Sequence, residues 1–78
     1  MNTFSKLPPL KKFPHFVTLS EVKRIVWIVN QQQPHCRPGQ AFCNAYIVSK
    51  ELENKIYELT DITDVAKQIL FSKDNQEN

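Results

Sequence analysis

Apolar residues fall into four blocks along the chain, each with its own period. The first runs from Phe4 to Phe16, where Phe4, Leu7, Leu10, Phe13 and Phe16 occupy every third position. Pro8, Pro9 and Pro14 lie among them and bar a continuous helix. Three residues per turn is the period of polyproline II, so this segment predicts an extended arm with its large side chains on one edge. Two uses follow: a strap across the helical core, or an arm that docks on a partner.

The second block predicts the best-defined helix. Thr18-Leu19-Ser20-Glu21 fits a capping box, with Val17 and Val22 placed as the hydrophobic staple around it. Leu19, Val22, Ile25, Val26 and Val29 then form a helical stripe. The run Ile25-Val26-Trp27-Ile28-Val29 also suits a strand, and the cap decides for helix. Trp27 and Ile28 lie off the stripe, which leaves Trp27 central to the fold or free for a partner. Pro34 stops this helix at or before Gln33.

Pro38 suits the first position of a second helix, which would carry Phe42, Ala45 and Tyr46 on one face. Gly39, the only glycine in the chain, keeps the entry of that helix slim enough to lie close to the first. Ser49 can cap a third helix with Leu52, Ile56 and Leu59 inward, and Asp61 or Thr63 a fourth with Val65, Ile69, Leu70 and Phe71. Residues 73–78 are polar and read as a frayed tail. The expected fold is all-α: a small bundle of about four short helices spanning residues 18–72, preceded by an extended proline-containing arm over residues 1–17.

Seventy-eight residues make one small domain, and 41% hydrophobic with 23% charged residues is globular composition. No apolar run approaches the roughly 18–20 residues that cross a bilayer. The first residues lack a basic stretch followed by an apolar one, which reads against a signal peptide. Two cysteines without an export signal point to a reducing cytoplasm.

The net charge of +2 conceals an asymmetry. Lys6, Lys11, Lys12, Lys23, Arg24 and Arg37 precede Val48 against Glu21 alone, whereas four lysines face seven acids afterwards. Such a division favours an anionic partner or head-to-tail association. Lys11, Lys12, Lys23 and Arg24 are the candidate contacts for nucleic acid, with Trp27, Phe42 or Tyr46 to stack on bases. A pI near 8.6 and a second helix poor in base-reading side chains weigh against a helix-turn-helix.

Catalytic chemistry has little to stand on. His15, His35, Cys36 and Cys43 are zinc-ligand types, but no C-x-x-C pair anchors a site, so no metal or cofactor is expected. The same cysteines and histidines with Asp61 or Asp64 could form a nucleophilic triad only by tertiary accident. Cys43 reads as a small buried hydrophobe. Gln40 and Asn44 share one helical face beside Arg37, a polar line able to bind a partner or to fix the loop before it.

Arg37, Gly39, Gln40, Ala41, Phe42, Asn44 and Ala45, followed by Glu51-Leu52, Ile56, Thr60 and Asp64, resemble a set of small uncharacterised phage and bacterial proteins. Those share an R-x-G-Q-x-x-x-N-A core between an apolar helix and an L-x-x-x-I helix. The resemblance covers about residues 22–66; the arm is outside it, and the aromatics that usually follow the aspartate are missing. It implies a compact helical fold and an accessory role in a phage or mobile-element setting, and it supplies no activity.

These features favour a non-enzymatic helical module that binds another protein, such as a host or defence factor, with nucleic acid as the alternative partner and a homodimer open. The expected contact residues are Trp27, Arg37, Gln40 and Asn44, with Phe4, Leu7, Leu10 and Phe13 of the arm. Aromatic and arginine side chains are the types that most often anchor interfaces.

Overall fold

The computed structural model describes residues 11–76. In chain order they form β1 (Lys11–Lys12), α1 (Leu19–Gln32), α2 (Pro38–Ala45), β2 (Tyr46–Ile47), α3 (Lys50–Ile56), α4 (Ile62–Leu70) and α5 (Lys73–Gln76). The fold is mostly helical, and two departures from the expected bundle stand out. A parallel pair joins Lys11 to Tyr46 and Lys12 to Ile47. A fifth helix occupies the stretch expected to fray.

Local chemistry explains where the helices begin. Glu21 N–H donates to Thr18 Oγ1 (3.2 Å) and Thr18 N–H donates to Glu21 Oε1 (3.1 Å), the reciprocal capping box. Val17 N–H also reaches the Glu21 carboxylate, at 2.9 Å. The staple does not form, because Val17 is 72% exposed. Its backbone is tied to Glu21, and the flanking Phe16 takes the inward position instead. Pro38 opens α2 after Arg37. Ser49 caps α3 through Leu52 N–H (3.1 Å), and of the two candidate caps for α4 it is Asp61 that accepts from Asp64 N–H (3.1 Å).

The core gathers Val22, Val26 and Val29 of α1, Ala41 and Phe42 of α2, Leu52 and Ile56 of α3, and Val65, Ala66 and Ile69 of α4. Leu19, Ile25, Leu59 and Leu70 pack against it in part, as their spacing predicts. Phe71 does not join them and stands exposed, since α4 ends at Leu70 and the chain turns away. Helix α1 packs on α4 and α2, and α3 packs on the same two.

Phe13 and Phe16 complete the core. Their rings stack at 5.7 Å, and Phe13 meets Phe42 at 5.5 Å. The period-three reading of the arm holds for these two residues, while Pro14 and His15 between them face outward. Phe13, expected among the partner contacts, is instead core. Burying a phenylalanine is worth about 1.5–3 kcal/mol. A domain of this length has about 4–12 kcal/mol in all by the usual per-residue range, so the strap is a major part of its stability. Phe4, Leu7 and Leu10 lie outside the described residues.

Helix α5 holds that strap. Asn75 is buried and its side chain spans two segments: Oδ1 accepts from Phe16 N–H (2.7 Å), and Nδ2 donates to the carbonyls of Phe16 and Leu70 (3.0 Å each). His15 Nδ1 donates to the Asn75 carbonyl at 2.9 Å. Asp74 grips the start of α3, accepting from Ser49 N–H (2.7 Å) and Ser49 Oγ (2.6 Å). The expected frayed tail is therefore a clasp as far as Gln76. Its bonds to the strap join residues 59 or 60 apart in sequence, beyond the reach of local pattern.

Gly39 also has a different neighbour from the one expected. A Cβ there would fall on the carbonyl oxygen of Ile56, with the carbonyl carbon at 2.6 Å and Tyr57 N at 3.4 Å. The slim point of α2 admits the end of α3, not α1. No glycine among the described residues has a positive φ, so space rather than backbone conformation demands this one.

Candidate functional site

Four large apolar side chains stand exposed among the described residues, Val17, Trp27, Ile47 and Phe71, and of these Trp27 is the one on a regular helix, the outer face of α1. Ser20, Lys23, Arg24, Trp27 and Gln31 are all exposed and follow each other at helical spacing, forming one ridge. Their counterparts Val22, Val26 and Val29 take the opposite face into the core, and this orients the ridge outward. Trp27 stands at its centre, 53% exposed. Lys23 and Arg24 lie one turn before it, and the ridge carries no acid. The one described ion pair, Lys55 with Glu51 at 3.9 Å, is on α3. A large aromatic left in water beside two cations is a costly arrangement for a chain this small, and a useful one for recognition.

Arg37 lies at the head of α2, exposed, with no side-chain bond to the helix start. Gln40 is half-buried, and Asn44 is exposed with its amide bonded to the neighbouring turn. Asn44 Nδ2 donates to Gln33 Oε1 (3.1 Å), Gln33 Nε2 donates to the Ala41 carbonyl (3.1 Å), and Asn30 Nδ2 donates to the Cys36 carbonyl (3.0 Å). These amides tie the end of α1 to α2 across the loop that Pro34 creates. Of the polar line read from the sequence, Arg37 and Asn44 are both exposed, and Asn44 is the one whose side chain is bonded, to Gln33. Asn44 builds the corner.

Lys11 and Lys12 are exposed on β1, while Lys23 and Arg24 belong to the α1 ridge. Cys36 and Cys43 are free thiols, each half-buried. Burial pushes the Cys43 thiol up to about 11, with Glu53 adding to the effect, so at neutral pH it holds its proton and is a poor nucleophile. Among the described residues no three His, Cys, Asp or Glu side chains converge as a metal would need. No described helix is long and apolar enough to cross a membrane.

Comparison of the chain with protein families, with characterised proteins and with solved structures finds no match. The functional reading therefore rests on the surface itself.

Proposed function

We propose that this protein is a small, non-enzymatic, cytoplasmic interaction module that binds another protein through the α1 ridge, with Trp27 as anchor and Lys23 and Arg24 beside it. The observation that carries this reading is the exposure of Trp27 on a regular, firmly packed helix. A rigid aromatic loses little conformational freedom on binding, and flanking cations add orientation and a faster approach to an acidic surface. Arg37 is a second contact outside the ridge. An accessory role in a phage or mobile-element setting, acting on a host or defence factor, rests on the motif resemblance alone.

Nucleic acid could use the same ridge, with Trp27 as the stacking plane. Two cations on a convex helix offer less than the charged groove that tracks a phosphate backbone, and Lys11 and Lys12 lie on a separate element paired to β2. Protein is the better-supported partner.

The test is capture of a partner by the wild-type chain and by Trp27→Ala and Arg37→Ala, each checked for folding by circular dichroism. Both positions are exposed, so the variants should fold. Loss of capture with Trp27→Ala is the expected result. Unchanged capture by both variants sinks the placement, and release of the partner by nuclease favours nucleic acid.

A further inference from the structure

The strap meets the helices as a bound segment meets a receptor. Lys11 and Lys12 pair in parallel with Tyr46 and Ile47, the geometry of strand addition to a short edge. Phe13 lies against Phe42 at 5.5 Å, Phe42 continues to Tyr46 at 5.0 Å, and Phe16 stacks on Phe13, so two aromatic anchors fill one groove. Asn75 takes the N–H and the C=O of Phe16 with a single side chain. That pair of bonds reads backbone, while the rings supply the selection. Pro14 holds the preceding Phe13 in the extended range, so a released strap keeps much of its docked shape and loses less on docking again.

The point where the strap joins α1 is exposed and apolar. Asn75 Nδ2 bonds the carbonyls of Phe16 and Leu70 at 3.0 Å each, so those two oxygens lie within about 6 Å of each other. The Cα atoms of the following residues, Val17 and Phe71, are therefore within about 12 Å. Both side chains stand in water, 72% and 71% exposed. We infer that the groove under the strap also takes the strap of a second copy, two chains exchanging residues 11–16 across a hinge at Val17. The groove contacts are those of the single copy, which makes exchange a low-cost route to a dimer. One contact is new: the two hinges meet, and Val17 and Phe71 of each copy cover those of the other. In the single copy the tether gives the strap an effective concentration on the order of 1 mM, so exchange in wild type belongs near that concentration. Neither Trp27 nor Arg37 takes part, and the inference stands apart from the reading of the α1 ridge.

Full-length Phe13→Ala/Phe16→Ala keeps the groove and lacks its anchors. A labelled peptide of residues 11–18 should bind it with Kd on the order of 0.1–1 mM by fluorescence anisotropy. Wild type, whose own strap fills the groove, should bind the peptide at least about tenfold more weakly. Methylating the peptide nitrogen of Phe16 removes the donor to Asn75 Oδ1 and should weaken binding about tenfold. Anisotropy registers binding whether or not the double variant folds alone, and circular dichroism shows helix gained if it does not. For whole chains, Asn75→Ala is the donor, with an intact strap and a damaged groove, and the double variant is the acceptor. At about 0.1 mM each alone should sediment at the monomer mass of 9.1 kDa, and their mixture at about twice that. Phe71→Ser in both partners should weaken pairing about tenfold, and Trp27→Ala in both should leave it unchanged.

A double variant that takes up no peptide through about 5 mM overturns the inference, as does equal binding of the peptide by the double variant and by wild type. Peptide binding together with a mixture that stays at the monomer mass overturns the second copy as occupant in favour of a separate segment of another protein. Pairing that Phe71→Ser leaves as strong as before overturns the meeting of the hinges. Pairing lost with Trp27→Ala moves the contact to the α1 ridge and likewise overturns the exchange. Failure of partner capture by the ridge, by contrast, changes none of these measurements.

Discussion

Replacing Gly39 with alanine is the sharpest test of how α2 and α3 meet. The added Cβ would lie 2.6 Å from the Ile56 carbonyl carbon and closer still to its oxygen. Carbon atoms in contact prefer about 3.5–4.0 Å, so one helix must retreat by about 1 Å or more. The obstacle is backbone, and no rotamer change relieves it. The same carbonyl accepts from Leu59 N–H at 3.0 Å, so moving it also strains the turn that leaves α3. Against this stands the better helix propensity of alanine, up to about 1 kcal/mol in a helix interior and less in the first turn. Overpacking of a well-filled interface costs about 1–3 kcal/mol, and a backbone obstacle belongs at the upper end. The net expectation is a loss of about 2 kcal/mol. With a urea m-value of about 1 kcal/mol/M for a chain this small, the midpoint should fall by about 2 M. Gln31→Ala, on the exposed face of α1, serves as control and should stay within about 0.5 kcal/mol of wild type. A Gly39→Ala variant as stable as wild type would refute the close approach and return the glycine to a matter of propensity.

Two further changes probe the clasp and the cap. Asn75→Ala removes three side-chain hydrogen bonds and strands the polar groups of Phe16 and Leu70 that they satisfied; at about 1 kcal/mol each, the loss in urea unfolding should be about 3 kcal/mol. Asn75→Asp should also destabilise at neutral pH, because its second oxygen then faces two carbonyls, and an Asp variant indistinguishable from wild type would contradict the assigned geometry. Hydrogen bonds from Val17 and Thr18 N–H hold the Glu21 carboxyl below the usual carboxylate range, with smaller help from His15 and the Thr18 hydroxyl against slight desolvation. A folded pKa below the unfolded one gives stability that is present above the unfolded value, about 4.3, and is lost as pH falls through the folded value. Tm measured down an acid series should therefore drop less for Glu21→Gln than for wild type, and parallel acid limbs would remove Glu21 from the account.

What the sequence revealed divides by distance along the chain. The caps at Thr18, Ser49 and Asp61 and the proline at Pro38 act within about one helical turn of themselves, so four of the five helix starts were legible, that of α4 as one of two candidates. The α1 stripe is equally local: Val22, Val26 and Val29 face the core, which places Trp27 on the outside. The anchor of the candidate site was legible for that reason. Arg37 was too, as an exposed residue at a helix start.

The elements that escaped are those whose partners are remote. Lys11–Lys12 forms a strand only because Tyr46–Ile47 is beside it, and the period-three pattern that governs the arm describes burial, not backbone pairing. Asn75 belongs to a polar run with no apolar period, so composition assigns it to solvent, yet its amide meets the Phe16 backbone on both its donor and its acceptor side. That match gives the arm its role. Once Phe16 is bonded at both N–H and C=O, stacking beside it carries Phe13 into the core, and the described end of the arm is a strap rather than a docking segment. Among the described helices, the α1 ridge then carries the exposed tryptophan. The clasp and the ridge are consequently linked: with Phe13 and Phe16 closing the core, Trp27 is the exposed aromatic on a helix among the described residues.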